Sequence, residues 1–521
     1  MTVADPKRKW WALIGLGLSG FVAYVDFAIV NTALPFIQRD LSLEFRDLQW
    51  VMNIFVLALC IFMVNMGRFG DIFGRRLMLY TGLGLFGTAS LGAGLAHSGA
   101  ILIACRAGQG IALAMIIPAS LALVSETFPK EERGRAMGIW TALTGIGLAI
   151  GPVLGGLLTS ALGWRWVFFV NVPVVIVALV ICLVSVRETA QQNWASKRID
   201  WVGFFLMMAG IGSLITAMVE APRAGWKSAF TITLLLVAIC ALLSLYLVET
   251  KREEPIVDFR LFVRRRFLAG SLANFTLIAF AYAGFFLIPL YLTNIIGQEP
   301  YQIGFTMLPI TGLIAIIAPL AGRIVDVKGP KLPIIVGLVC LAASAVVQFS
   351  LGHGSSLWQI LVAFIFMGTG WGLIFGPAAF AAISSLPQTH AATATGALWT
   401  IQNLGGSLGL AVAGLVFRYQ EQRSLTDGLA LANVDLTENQ QQLVRSLLAD
   451  PERSRQVLSE FAGTTAEKVT SIFDSAFVTG YTSAFAFLLC LSLSALLLVV
   501  FVMNDAARGQ NPSAAPEEKG S

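Results

Sequence analysis

The sequence predicts an all-α polytopic membrane protein whose fourteen transmembrane helices are arranged as six plus two plus six. Three observations predict it. Of 521 residues, 56% are hydrophobic and 12% charged, with a mean hydropathy of +0.77; a soluble chain carries roughly a quarter charged residues. The apolar residues come in runs of about 20, the length of a helix that crosses a hydrocarbon core, without the ten-residue alternation of a membrane barrel. A basic signature also occurs twice, "GRFGDIFGRR" at 67–76 and "GRIVDVKGPK" at 322–331, both fitting G-R-x-x-D-x-x-G-x-[RK].

The first run, about 11–35, follows the basic "KRK" of residues 7–9; it is too long for a signal-peptide core and lacks a small-residue cleavage site. Runs two and three, about 48–67 and 77–97, are parted by the first signature. Runs four and five, about 100–123 and 135–161, flank "SETFPKEERGR" (125–135), and run six, about 165–186, ends at Arg187. Runs seven and eight lie at about 200–219 and 229–248, and run nine, about 268–292, starts behind Arg264, Arg265 and Arg266. Runs ten and eleven, about 303–321 and 332–350, flank the second signature. The last three fall at about 357–380, 393–417 and 475–503.

With the N-terminus inside, 23 of the 35 Lys and Arg residues lie on the cytoplasmic side. The short outer loops hold only Arg39, Arg46, Arg165, Arg223 and Lys227. Six more lie in segment 418–474, and long loops cross a membrane regardless of charge. Both termini are therefore expected in the cytoplasm. The two signatures stand eight spans apart, where two six-span halves would put them six apart, so two spans are inserted at about 200–248. The expected units are a six-helix bundle at 1–190, two linker helices with a cytoplasmic connection at 191–266, and a second six-helix bundle at 267–505. The second bundle includes a folded, helical outer loop at 418–474, and 506–521 reads as a disordered tail.

Several classes of chemistry are disfavoured. All six cysteines sit inside apolar runs and the three histidines are scattered, so no disulfide, metal or cofactor is expected. There is no clustered His/Asp/Glu constellation, no nucleophile motif and no G-x-x-x-x-G-K-[ST] phosphate loop, which argues against an enzyme and against ATP-driven transport. Nothing points to nucleic acid.

The stretch "YVDFAIVNTALP" (24–35) places a carboxylate in membrane-grade sequence. Asp26 lies roughly 24 Å along the first helix from Trp10 at 1.5 Å per residue. A charge at the bilayer centre costs about 2.5–3.5 kcal/mol on insertion scales, so Asp26 must face a cavity or a partner. Two roles stay open. It is a protonatable anion facing a central cavity, alternately holding a proton or a cationic substrate, or it is a packing or cap residue bonded to Asn31. Arg106 is the other charge expected deep in a span, either as counter-ion to Asp26 or as a clamp on span-one carbonyls; Glu220 and Asp474 fall at span ends. A pocket rich in aromatics and amides is expected from Tyr24, Asn31, Gln109, Trp140, Phe285, Phe286, Tyr291, Met307, Trp371, Trp399 and Asn403. Aromatic faces attract delocalised cations and Met adapts its contacts, although aromatics serve equally at lipid-facing positions.

These motifs resemble the major facilitator superfamily. "GRFGDIFGRR" looks like its loop signature between spans two and three, and "RAGQG" (106–110) like its basic span-four motif. "GIGLAIGPVLGG" (145–156) is similar to the antiporter motif, with Gly147, Gly151, Pro152, Gly155 and Gly156, and "QNLGGSLG" (402–409) looks like its counterpart without the proline. "VDFAIVNTALP" resembles the span-one signature of the fourteen-span drug:proton antiporters, with Ala28 where that subgroup usually has Thr. The resemblance implies the major facilitator fold and a coupling role for Asp26 and Arg106. It also implies a conformational latch of Gly67, Asp71, Arg75, Arg76, Glu126 and Arg133, holding an outward-open state, with Asp326 in the second copy. That second latch looks weaker, because Pro330 replaces Arg75 and segment 383–396 has no acid. The implied activity is proton-coupled export of amphipathic, cationic drugs by alternating access. Export of one metabolite, siderophore, lipid or peptide is the alternative. The partners expected are a small-molecule substrate, protons and the lipid bilayer of a bacterial inner membrane. The chain is expected to act as a monomer, and a periplasmic adaptor is compatible with it.

Overall fold

Each apolar run becomes a helix, and most helices outrun it. The computed structural model describes residues 6–129, 132–186, 200–252, 261, 263–384, 391–431 and 463–503. The first half holds α1 (Pro6–Leu41), α2 (Phe45–Phe73), α3 (Arg75–Gly94), α4 (Gly99–Thr127), α5 (Arg133–Leu162) and α6 (Trp166–Ser185). Next come α7 (Trp201–Ala224) and α8 (Ala229–Glu249). The second half holds α9 (Arg265–Asn294), α10 (Pro300–Lys328), α11 (Lys331–Phe349), α12 (Leu357–Ile383), α13 (Ala391–Leu431) and α14 (Gly463–Val502). Among the described residues all fourteen are long and apolar enough to cross a membrane, and there is no strand. Hydropathy marks only the stretch that lipid can cover, while backbone hydrogen bonding carries a helix on. α1, 36 residues long, reaches about 54 Å against a hydrocarbon core of roughly 30 Å.

Two boundaries change the sequence reading. The 67–76 signature is helical to Phe73 and breaks at one residue, Gly74 (φ 104°), before α3 begins. The second copy breaks the same way at Gly329 (φ 79°), since glycine enters positive φ without a Cβ penalty. In the expected outer loop, 418–431 and 463–474 instead prolong α13 and α14 as a packed pair. There Gly428 lies against Ile472, and Ser424 Oγ donates to Thr479 Oγ1 at 3.4 Å. Residues 432–462 lie outside the described residues, as do the expected tail and most of the connections flanking α7–α8.

The internal repeat is visible in packing. α1 packs on α4, α5 and α6, α2 on α4, and α3 on α4 and α6; the same six pairings recur among α9–α14. Glycines set the register. A Cβ on Gly110 would strike the Phe55 carbonyl, and one on Gly368 the Ile310 carbonyl. Gly155 sits on Ile29 and Gly409 on Ala279 in the same fashion. α1 and α9 occupy the centre, with 78% and 89% of their apolar windows buried in protein, against 22% for α8.

The halves meet along two seams. α5 packs on α10, and α2 on α13; α7 runs along α2 and α13, with α8 outside it. The end where α1 starts and α14 finishes is called here the terminal face, and the opposite end the far face. At the far face Phe45 of α2 closes the middle. Its ring stacks on Phe417 (4.7 Å between centroids), meets the edge of Phe286 (5.3 Å) and lies under the Arg418 guanidinium (5.4 Å). Arg46 bonds Asp47 and, at 3.4 Å, Glu220 of α7, whose other oxygen accepts from Trp50 Nε1 at 2.9 Å.

Candidate functional site

Asp26 is fully buried inside the first half. Its Oδ2 accepts from Arg106 Nη1 of α4 at 2.6 Å. Its Oδ1 accepts from Gln109 Nε2 at 3.1 Å and from Asn171 Nδ2 of α6 at 2.7 Å. Arg106, also fully buried, donates through Nε to the Val51 carbonyl of α2 (3.2 Å) and through Nη1 to Gln109 Oε1 (2.9 Å). Its guanidinium lies 4.0 Å from the Phe55 ring centroid. Gln109 also donates to Ser90 Oγ of α3 at 2.9 Å. Five helices of one half thus converge on a single ion pair.

This geometry corrects one expectation and decides another. Asp26 does not face an open cavity: it is fully buried, and Arg106, Gln109 and Asn171 occupy the space in front of its two oxygens. It does not bond Asn31 either: the Asn31 amide donates to the Phe27 carbonyl one turn back. Arg106 is the counter-ion, and the carbonyl it clamps belongs to α2 rather than α1. Arg106 Nη2 and Asn171 Oδ1 keep unused hydrogen-bonding capacity among the described residues.

Asn171 was missed by sequence reasoning. The signal was an amide in the apolar run "FFVNVPVV", the same signal that drew attention to Asp26. Its position follows from a local break: α6 is interrupted at Val170 and restarts at Asn171, with Pro173 in the new first turn, where a missing N–H costs nothing.

Among the described residues the second half has no such network. In the glycine register Arg106, four residues before Gly110, corresponds to Phe364, four before Gly368, and Gln109 corresponds to Met367. Asp26 follows Val25 on the Gly151 contact as Thr276 follows Phe275 on the Gly405 contact. Ion-pair chemistry in one half is matched by buried Phe364 and Met367 in the other.

A second cluster crosses between the halves. The Phe27 ring lies 4.4 Å from Tyr282 and 5.7 Å from Phe285 of α9, and Phe285 meets Trp371 of α12 edge-on at 6.0 Å. Phe27 and Tyr282, absent from the expected pocket, are its core. Tyr24 and Trp399 are half-buried, and Asn403 donates to the Trp399 carbonyl (2.9 Å) beside Met63 Sδ (3.7 Å). Other expected pocket residues do structural work. Trp140 Nε1 donates to the Leu16 carbonyl (3.1 Å), joining α5 to α1. Tyr291 stacks on Tyr481 (4.6 Å) and donates to the Gly352 carbonyl (2.8 Å) within the second half. Phe286 serves the far-face closure, and Met307 is fully buried on the α10 stripe of Gly304 and Thr311.

The antiporter-motif residues have two jobs. Gly147, Gly151 and Gly155 let α5 lie on the α1 backbone at Phe21, Val25 and Ile29. Pro152 and Gly156 face α10, with Gly156 on the Pro300 carbonyl and Gly304 on the Pro152 carbonyl. Of the latch residues, Arg75 pairs with Glu126 between α3 and α4, within one half. Arg76 Nε donates to Tyr80 Oη (2.6 Å), and Arg133 Nε to the Phe128 carbonyl (3.2 Å). Gly67 lies against Pro118, and Asp326 is exposed. The Asp71 side chain lies outside the described residues. Lys9 adds a 2.5 Å pair to Glu132, from α1 to α5.

Comparison with known proteins agrees with this architecture. The family model of the Major Facilitator Superfamily matches residues 16–200 and 193–410. A protein named multidrug resistance protein Stp, from Mycobacterium tuberculosis, is 35% identical over 79% of this chain and 76% of its own. A tetracenomycin C resistance and export protein of Streptomyces glaucescens is 32% identical over 82% of this chain and 79% of its own. Among solved structures, a bacterial homologue of the human lysosomal transporter Spinster superposes with a TM-score of 0.66 at 17% identity, covering 95% of this chain and 98% of that one.

Proposed function

The chain belongs to the major facilitator superfamily, and on that premise we propose that it is a proton-coupled antiporter exporting amphipathic, aromatic drugs by alternating access. The observation that carries this reading is the Asp26–Arg106 pair, buried on the helix that also carries Phe27. The names of the relatives support the drug-export part.

Protonating Asp26 removes the negative charge opposite Arg106. The guanidinium keeps the Val51 carbonyl, Gln109 Oε1 and the Phe55 face, all on α2 and α4, so α1 is the element released. α1 lies on the glycines of α5, and the opposite side of α5 forms the seam with α10. Proton binding thereby acts on the far-face closure through two packed helices, while substrate occupies the aromatic cluster between the halves. A cationic substrate, which the family resemblance implies, also suits this cluster, because aromatic faces attract delocalised cations. With Asp26 paired to Arg106, the rings rather than a free carboxylate carry that selection. The terminal face, carrying the basic signatures, is the cytoplasmic side in this reading, and the Arg75–Glu126 pair braces α3 against α4 within the first half.

Ethidium efflux from cells lacking other pumps tests the function. Efflux that collapses on adding a protonophore is the expected result; efflux indifferent to it removes proton coupling, and no efflux of any aromatic dye shifts the reading to a specific metabolite. Trp371→Ala tests the site. Losing an aromatic contact worth about 0.5–1.5 kcal/mol should weaken dye binding roughly two- to tenfold, measured by fluorescence titration of purified protein. Unchanged affinity would place the substrate elsewhere.

A further inference from the structure

The α2–α13 seam carries buried polar groups without protein partners. Gln49 and Asn53 stand one turn apart on α2, Ser407 is on α13, and all three are buried. Among the described residues, Gln49 Nε2, both amide atoms of Asn53 and Ser407 Oγ make no hydrogen bond. The Gln49 amide fills the space that a Cβ on Gly414 would need, so it is aimed across the seam. The helices run antiparallel here, with Phe45 on Phe417, Gln49 on Gly414 and Cys60 on the Thr400 carbonyl. Ser407 therefore falls at the level of Asn53 to Val56, and it stands two turns before Gly414 on the face that meets α2. Folded proteins satisfy nearly all such atoms, through protein or through ordered water.

The internal repeat supplies the comparison. By the 255-residue offset between Gly74 and Gly329, Gln49 and Asn53 correspond to Gly304 and Leu308 of α10. By the 254-residue offset between the Gly155 and Gly409 contacts, Ser407 corresponds to Val153 of α5. The α5–α10 seam is thus apolar at all three positions. Leu308 is 41% exposed, on the side that lipid covers, whereas Asn53 is fully enclosed.

The enclosing element is α7. Its Phe204 packs on Phe62 (5.2 Å), and its Ile211 and Ile215 share a core with Leu57, Ile61 and Ala411. Ile61 and Ala411 are buried where their counterparts Ile316 and Leu157 are exposed. The inserted pair thus stands where lipid stands at the other seam, and the amides lie behind it. Against acyl chains such groups have no partner, whereas behind a protein wall they can hold water. An ion does not suit the place, because residues 48–67 of α2, 391–417 of α13 and 201–219 of α7 carry no charge. The amides and the hydroxyl together offer both donors and acceptors, which is what a bound water requires.

We propose that the α2–α13 seam beneath α7 is a water-binding site, in which bound water bridges Gln49, Asn53 and Ser407. Water exchanges partners quickly, so α2 can part from α13 during alternating access without stripping either helix of its hydrogen bonds. That second role rests on the exporter reading; the site itself does not. Synchrotron hydroxyl-radical footprinting in lipid nanodiscs reads the site, because radiolysis of bound water oxidises the side chains beside it. The buried Val56 and Leu57 should be labelled, while the equally buried Ile303 of α10 is not. In the triple variant Gln49→Leu/Asn53→Leu/Ser407→Ala that labelling should disappear. Its thermal midpoint should stay at or above that of the unaltered protein, since apolar groups of similar shape replace polar ones that no protein group bonds. Its protonophore-sensitive dye export should fall at least about fivefold, or roughly 1 kcal/mol of barrier. An unlabelled seam in the unaltered protein, or equal labelling in the variant, would overturn the site. So would a marked drop in thermal midpoint, which would mean that the amides bond protein. Export at the unaltered rate with labelling lost would overturn the role of the water in parting the helices. If the unaltered protein exports no dye, the exporter reading fails and that role with it, while footprint and melting still decide the site.

Discussion

Asp26→Asn should abolish protonophore-sensitive export, by well over about tenfold, while the protein still inserts in the membrane. Asparagine has nearly the same shape and can still meet Gln109 and Asn171, but it cannot change charge. The substitution leaves Arg106 buried without a counter-charge. Breaking one side of a buried pair costs roughly 3–5 kcal/mol, enough to lower yield by itself. The double variant Asp26→Asn/Arg106→Gln separates the two effects, because it restores neutrality to the network. It should recover membrane levels and thermal stability yet remain uncoupled. If it exports dye in a protonophore-sensitive manner, the pair is a structural strut and protons are carried elsewhere.

Gly156→Leu should have an effect of similar size by a different route. A Cβ at Gly156 would collide with the Pro300 carbonyl, and backbone cannot rotate away as a side chain can. The α5–α10 seam then fails to close at the far face. Export should fall at least about tenfold. A thiol placed at Met307, fully buried on the α10 stripe beside Gly304, should become reactive toward a membrane-impermeant maleimide from the far side. Gly145→Leu is the matched control: it lies on the same face of α5 about three turns earlier, where an added Cβ meets nothing within 4 Å, and the same thiol should stay shielded. Equal labelling in both variants would mean that Gly156 contributes only helix flexibility.

The fourteen helices were legible in the sequence because each needs about 20 apolar residues to cross lipid, a requirement that acts on every segment alone. The repeat was legible for a related reason, since the Gly, Arg and Asp offsets of the two signatures survive in linear order. The inserted pair followed from counting spans. The aromatic cluster was only half visible: Phe285 and Trp371 were named, while Phe27 and Tyr282 were not, because nothing local distinguishes a ring that faces another half from one that faces lipid. Tyr291 and Trp140 show the converse, polar tips spent on carbonyls within one half or between neighbouring helices.

What the sequence by itself determined is the class, the spans, the repeat and the two deep charges, all properties of composition and spacing along the chain. Only the tertiary structure decided that Asp26 and Arg106, 80 residues apart, touch each other, that Asn171 completes their shell, and that Gly156 and Gly304 bring α5 onto α10. The reason is geometric. A buried charge demands a partner, but which side chain supplies it depends on helix rotation and depth, and these are set by glycine contacts between distant segments rather than by either segment alone.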